Sequence, residues 1–322
     1  GFNERQNPIS GDTVRAFDTS NLTADEIQEV KNKFEEKNRS LLEHSDYKKG
    51  SQTGSYTVDN TGRITVTYRD GTTDVVNASL DHRPFTERQN PVSGDKVRVF
   101  ETNNLTSEEI AAVKRNFESK NAGILNHSDF KKNNQTGSVN VSNTGQITIT
   151  YLDNSKDVVN ALLEKRPFTE RQNPVSGDKV RVFEPDNLTA EEIAAVKKNF
   201  ESKNAGILNH PDFKKNSQTG SVEVSKSGQV TVTYLDQSTD VVTALTEKRP
   251  FAERQNPVSG DSVLVSDKSH LTPEERDEVK RNFLSKNSAI IKHTDYSKNN
   301  QSGNVTVSEN GQITITYRDG SS

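Results

Sequence analysis

The chain has no cysteine, no methionine and no tryptophan among its 322 residues. Without thiols, disulfides, cysteine-bound zinc, iron–sulfur clusters and thiol catalysis are excluded. Small animal extracellular domains usually rely on disulfides, so a chain with none, and with no oxidisable methionine, fits a bacterial surface better. Apolar residues are scarce, at 29% against 27% charged. A single globule of this size should bury about three quarters of its unfolded surface, and the composition lacks the apolar material for that. Several small units suit it, and regularly placed Val, Ile and Phe argue against long disorder. No apolar run approaches the roughly 20 residues that span a bilayer, so no membrane insertion is expected. An excess of one charge is missing as well. The 42 basic and 46 acidic residues give a net charge of -4, which leaves no electrostatic footprint for nucleic acid. The chain starts at Gly1-Phe2 and is expected to be a piece of a longer protein, so its lack of a leader says nothing about export.

What the sequence does have is a repeat. Phe2, Phe85, Phe168 and Phe251 stand 83 residues apart, as do Pro8, Pro91, Pro174 and Pro257, and Tyr68, Tyr151, Tyr234 and Tyr317. The period holds without insertion or deletion. It is too long for a solenoid unit and matches a small domain duplicated whole. The boundaries are read as 1–83, 84–166, 167–249 and 250–322. The second and third copies are nearly identical over long stretches, which fits either recent duplication or a shared binding surface.

Each copy reads as α+β, with one helix over a small antiparallel sheet. In the second copy Ser-Gly-Asp at 93–95 is a turn signal, and Val97 to Phe100 alternates like a strand. Thr106 and Glu109 form a capping box, with Leu105 and Ile110 in the staple positions. Ile110, Val113 and Phe117 then line one helix face to about residue 120, and Asn121 is read as a left-handed C-cap. In the fourth copy Arg276 replaces the staple isoleucine, so its helix should start less firmly. Residues 138–142 and 147–151 read as a hairpin across Asn143-Thr144-Gly145, followed by a third strand at 158–162. The Thr148 and Thr150 face is left to water. The fourth copy stops at Ser322, before its third strand, so its sheet edge is expected to be open.

The segment EKRPFTERQNP between copies reads as a short, stiff connector, because each proline biases the residue before it toward extended geometry. Pro84, Phe85, Pro167, Phe168, Pro250 and Phe251 are the interdomain candidates. Each phenylalanine either wedges between neighbours or sits in its own core. An 83-residue globule has a diameter of roughly 30 Å, so four end to end make an elongated rod of about 120 Å.

Signals for chemistry are sparse. His44, His127, His210 and His293 each stand two residues before an aspartate, too few ligands for a metal site, and the bland reading is a loop that caps backbone groups. Glu108-Glu109 lies in the first helical turn, where negative charge favours the dipole. The serine of Ser-Gly-Asp has no nucleophile-elbow context. No catalytic residue, cofactor or metal is expected. A basic cluster beside an aromatic recurs at Tyr47-Lys48-Lys49, Phe130-Lys131-Lys132 and Phe213-Lys214-Lys215, and is the candidate ligand-binding surface. The alternative is a solvated loop.

The stretches NLTSEEIAAVKRNF and GQITITYLDNSKDVV resemble tandem repeats of Gram-positive cell-wall-anchored surface proteins, and ITVTYRDGTTDVV at 64–76 is the closest match. Streptococcal surface repeats of the fibronectin-binding adhesin type are the nearest family. The resemblance implies an extracellular location on the bacterial cell wall, and host partners such as fibronectin or plasminogen. No family ligand residue carries over. The expected function is a monomeric adhesin segment with repeated weak sites, whose avidity grows with copy number. The alternative is a spacer that projects a distal head.

Overall fold

The computed structural model describes all 322 residues, Gly1–Ser322. The chain divides into two compact units, Gly1–Arg166 and Pro167–Ser322. Each holds two repeats and is taken by itself below. The α+β reading holds in both.

The second repeat shows how the sequence builds the unit. Its helix runs Ser107–Lys120 behind Thr106. The capping box is complete, because Thr106 Oγ1 accepts the Glu109 N–H while the Glu109 carboxylate accepts the Thr106 N–H at 2.8 Å. The second Glu109 oxygen accepts the Phe100 N–H, also at 2.8 Å. Glu109 is buried, and these bonds to N–H groups offset the cost of burying its charge. One carboxylate therefore ties the preceding strand to the helix start. Val113 and Phe117 point inward and pack with Val99, Ile147, Ile149 and Tyr151. Burying a side chain the size of Phe117 is worth about 2–3 kcal/mol.

The helix ends differently from the expected left-handed cap. Asn121 keeps φ at -108°. Its side chain does the capping, donating to the Phe117 and Val92 carbonyls and accepting the Val92 N–H. Asparagine is used here for the three hydrogen bonds that its side-chain amide makes, not for a left-handed backbone. A second short helix, Ala122–Leu125, follows and lays Ile124 and Leu125 against the core.

Ser138–Val141, Gln146–Thr150 and Lys156–Asn160 form an antiparallel meander with Val139 opposite Ile149 and Ile147 opposite Val159. The third strand starts at Lys156, two residues ahead of the expected position, because pairing with Thr150 begins at once after the turn. Val158 is exposed on the outer face, beside the half-buried Thr148 and Thr150.

The EKRPF segment is more than the short, stiff connector expected from its prolines, because part of it belongs to the fold. Leu163–Lys165 is a strand that pairs in parallel with Val97–Val99, so a repeat's first and last strands lie side by side. Phe85–Glu87, Phe168–Glu170 and Phe251–Glu253 are each one 3-10 turn. The glycine of Ser-Gly-Asp also has another purpose. A Cβ on Gly94 would lie 2.6 Å from the Asn116 backbone carbon, so it serves close approach to the helix, with no positive φ.

The first repeat repeats this plan, with Ala24–Lys37 as helix and Val14–Ala16 paired in parallel with Leu80–His82. In the second unit the third repeat does the same with Ala190–Lys203, and with Val180–Val182 against Thr246–Lys248. The fourth keeps its helix, Pro273–Lys286, and a complete capping box despite Arg276. That helix buries only Phe283, whereas the first three each bury a valine and a phenylalanine. Its sheet has two strands, Asn304–Val307 and Ile313–Thr316. Val263 to Val265 forms no strand. The core of the fourth repeat also takes in Phe183 from the third.

Candidate functional site

The lysine clusters sit on a small hairpin. Lys131–Lys132 pairs with Gln135–Thr136 across Asn133 and Asn134, both at positive φ, as a tight two-residue turn demands. Lys131 and Lys132 are exposed, as are Lys48, Lys49, Lys214 and Lys215. The neighbouring aromatics do not share that surface. Phe130 and Phe213 are buried and Tyr47 is half-buried against its core. Gly137 makes room for the Phe130 ring, since a Cβ there would stand 2.7 Å from it. The sequence placed lysine and aromatic together, but the turn before the hairpin buries the ring while both lysines of the strand stay exposed.

Beneath the hairpin lies a buried polar network that sequence reasoning left unplaced. Arg88 Nε donates to Asp129 at 2.7 Å, and Gln89 Nε2 donates to the same carboxylate at 2.7 Å. The Asp129 N–H donates to His127 Nδ1 at 3.0 Å. The same Nδ1 lies 3.6 Å from the Asp129 carboxylate. The histidine is a backbone cap. Arg5 with Asp46, Arg171 with Asp212 and Arg254 with Asp295 repeat the arrangement. The Arg5 hydrogen bond holds the Asp46 carboxyl down at about 2 against the opposing effect of burial, with help from Gln6. For Asp212 and Asp295 burial pushes upward, and the arginine and glutamine hydrogen bonds outweigh it, so both lie below the usual carboxylate range.

The same arginine reaches the neighbouring repeat. In the first unit the Phe17 ring has Arg83 at 4.5 Å and Arg88 at 4.3 Å from its centre. Glu87 joins Arg15 of the first repeat, at 2.6 Å, to Arg83 at 2.6 Å. Asp153 accepts from His82 Nε2 at 2.7 Å and from the Phe85 N–H at 2.9 Å. Lys132, one of the candidate ligand-binding lysines, pairs with Asp18 at 3.6 Å. In the second unit Phe183 lies between Arg249 at 4.5 Å and Arg254 at 4.3 Å. Arg181 bonds Glu253 at 2.7 Å, Lys248 reaches Asp319 at 3.1 Å, and Arg318 meets Glu184 at 3.7 Å.

These contacts resolve the role of the proline-phenylalanine pairs. Phe85, Phe168 and Phe251 each donate their N–H to an aspartate of their own repeat, and Phe251 belongs to its own core. The outer sides of Phe85 and Phe251 are partly used by the repeat before, as where His82 packs edge-on to Phe85 at 5.4 Å and Lys248 stands over Phe251 at 3.9 Å. Pro84 and Pro250 precede the turns as extended N-caps, as does Pro167. The residue that wedges is Phe17, or Phe183, at the end of the first strand. The signal for it was an aromatic closing a strand, two residues after an arginine, at the same 83-residue step.

A cleft of about 410 Å³ opens between the first two repeats, lined by Phe17, Asp18, His82, Arg88, Lys132 and Asp153 among others. Asp18, Arg88, Lys132 and Asp153 are already matched in the contacts above. For Asp153, the pull of Ser155, the Phe85 N–H and His82 outweighs burial and lowers its carboxyl. The arrangement joins two domains and presents no isolated charge to a small ligand.

No helix is long and apolar enough to cross a membrane. Among solved structures, the chain is similar to the sialic acid binding region of a Streptococcus sanguinis SK1 adhesin bound to 3'sLn, at a TM-score of 0.30 and 16% identity, covering 77% of this chain and 68% of that one. It is similar to the SrpA adhesin from Streptococcus sanguinis at a TM-score of 0.26 and 23% identity, over 34% of this chain and 51% of that one. These likenesses assign no site residue. No curated protein matches the chain. The atypical Rib domain model matches residues 6–80, 89–162, 172–246 and 255–322, and leaves Arg83, Pro84, Phe85 and Arg88 between matches. Four matches that together span most of its length show that this chain belongs to the atypical Rib domain family, as four tandem members.

Proposed function

We propose that the chain is the projecting segment of a Gram-positive surface adhesin, outside the cell and carried on its wall, and that its repeats act as spacer domains locked together in pairs within each unit. The observation that carries this reading is the double use of Arg88. It is fixed by Asp129 in its own repeat and rests on Phe17 of the repeat before. A partly desolvated cation–π contact is worth about 0.5–2 kcal/mol, and two per junction with their ion pairs favour one interdomain angle over many. Reach and orientation are then what the segment supplies. Small-angle scattering of the full chain and of a Phe17→Ser, Phe183→Ser variant tests this. The variant should give a broader distribution of dimensions than the parent chain. Identical curves would refute locked junctions.

A second reading gives the repeats weak contacts of their own with host matrix proteins such as fibronectin or plasminogen. It is favoured by Val75, Val158 and Val241, half-exposed at the same position of the third strand in three repeats. Three weak sites would bind by avidity. Retention of the chain, but not of a Val75→Lys, Val158→Lys, Val241→Lys variant, on immobilised fibronectin or plasminogen would support it. Equal retention, or none, would reject it. Neither reading gives the chain a catalytic role.

A further inference from the structure

The third strand of each of the first three repeats leaves one edge of its sheet unpaired. In the second repeat Lys156–Asn160 pairs with Gln146–Thr150 on one side and with no strand on the other. Bonds from the Tyr151 N–H to the Ser155 carbonyl and from the Ala161 N–H to the Gly145 carbonyl bracket that pairing, at 2.9 and 2.8 Å. Bonded and unbonded pairs alternate along an antiparallel ladder, so Asp157 and Val159 spend their backbone groups on it. Those of Lys156, Val158 and Asn160 point off the sheet. The Asn160 carbonyl agrees, because it accepts the Ser93 hydroxyl at 2.6 Å. The Val158 N–H and C=O have no partner within the chain.

Exposed apolar surface gathers at the same edge. Val158 is 54% exposed, Leu162, four residues on, 51%, and Val92, next to Ser93, 51%. Val175, Val241 and Leu245 repeat this in the third copy, and Ile9, Val75 and Val258 hold matching positions in the others. Leu264 apart, every large apolar side chain left exposed occupies one of these positions. A recurrent apolar strip marks an interaction surface. The usual guards of an open edge are missing. The ladder has no bulge, the strand has no proline, and Lys156 is the only charge among its outward-facing side chains.

We propose that this edge pairs with the same edge of a second copy of the chain, antiparallel and centred on Val158, or on Val75 or Val241 in the equivalent strands. The strand is its own complement. Around Val158 the register sets valine against valine and Lys156 against Asn160 of the second copy, with backbone groups that point off the sheet facing one another at all three positions. In the 73–77 and 239–243 strands Thr73 meets Asn77 and Thr239 meets Thr243. No like charges fall directly opposite, in these pairs or in mixed ones. A second copy brings this match by symmetry, where an unrelated strand would have to supply it. One edge pair is small beside the roughly 1,200 Å² of a stable interface. Each contact is therefore weak, and the three edges of a chain together give the strength.

This goes beyond both readings above, and no host protein enters its test. Sedimentation of the full chain is followed as its concentration rises to about 1 mM, beside a Val75→Lys, Val158→Lys, Val241→Lys variant whose circular dichroism matches the parent. The mean mass of the parent should climb, and that of the variant should stay at one chain. A parent that stays single, or a variant that associates equally, overturns the proposal. The register has its own test, because the chain has no cysteine. Hydrogen-bonded partners stand about 5.5 Å apart at Cα, within disulfide reach. On mild oxidation Val158→Cys should cross-link into dimers at least about tenfold faster than Ser119→Cys, placed on the exposed side of the helix. Equal rates would overturn the proposal too, even where the lysine variant fails to fold.

Discussion

Arg88 and Phe17 lie 71 positions apart in the chain, and their guanidinium carbon and ring centre are 4.3 Å apart. The contact is possible because Asp129 holds the other edge of the guanidinium, leaving its flat face to the neighbouring repeat. A planar, delocalised cation suits both tasks, and lysine in its place would serve neither as well. The junction is thus an extension of each repeat's internal network.

The aromatic clamp has a measurable coupling energy. Phe17→Ser and Arg83→Met, alone and together, form a double-mutant cycle on the full chain. The interaction should come to about 0.5–1 kcal/mol in urea unfolding of the first unit. A coupling indistinguishable from zero would show that the two side chains only share a surface.

Acid should loosen the networks. Asp46 and Asp319 both titrate at about 2 in the fold. For Asp319, bonds from Ser321, the Phe251 N–H and Lys248 outweigh burial. An unfolded aspartate titrates near 3.9. Folded values below the unfolded one mean that the stabilisation is present above about pH 4 and is lost as the pH falls toward 2. Melting temperature by circular dichroism should hold from pH 7 to 5 and drop between 4 and 2. A midpoint that falls mainly between pH 7 and 5 would point to histidine instead.

Two glycines should respond oppositely to alanine. Gly94→Ala drives a methyl into the Asn116 backbone and should cost about 1–3 kcal/mol. Gly123 lies in a short helix with nothing within 4 Å of its would-be Cβ. Gly123→Ala should be neutral or stabilise by about 0.5–1 kcal/mol. Urea midpoints decide, and a Gly94 variant as stable as the parent would contradict the close approach.

Hydrogen exchange should separate the second and fourth sheets. Gln146–Thr150 is paired on both sides, whereas Ile313–Thr316 is paired with Asn304–Val307 alone. Amides of the latter should exchange at least about tenfold faster. Equal protection would mean that the fourth repeat holds its edge by other contacts.

Local order was legible because its causes are local. The capping box spans three residues, the helix face repeats within seven, and the hairpin follows from alternation around Gly145 at φ 81°. The 83-residue step gave the number of repeats by inspection. Asn121 shows where such reading fails: its residue type suggested a backbone conformation, while a partner 29 positions away, Val92, set its actual use.

Period, helix, turns and the inward face were determined by the sequence alone, since each depends on residues close enough along the chain to meet whatever the rest does. Only the tertiary structure decided that Phe17 rather than Phe85 is the wedge, that Arg88 is shared, and that the lysines and their aromatics part. Those outcomes depend on contacts such as Arg88 with Asp129 across 41 positions and Arg15 with Glu87 across 72. Such partners are chosen by which surfaces the packed strands and helix bring together, and no short pattern in the chain encodes that.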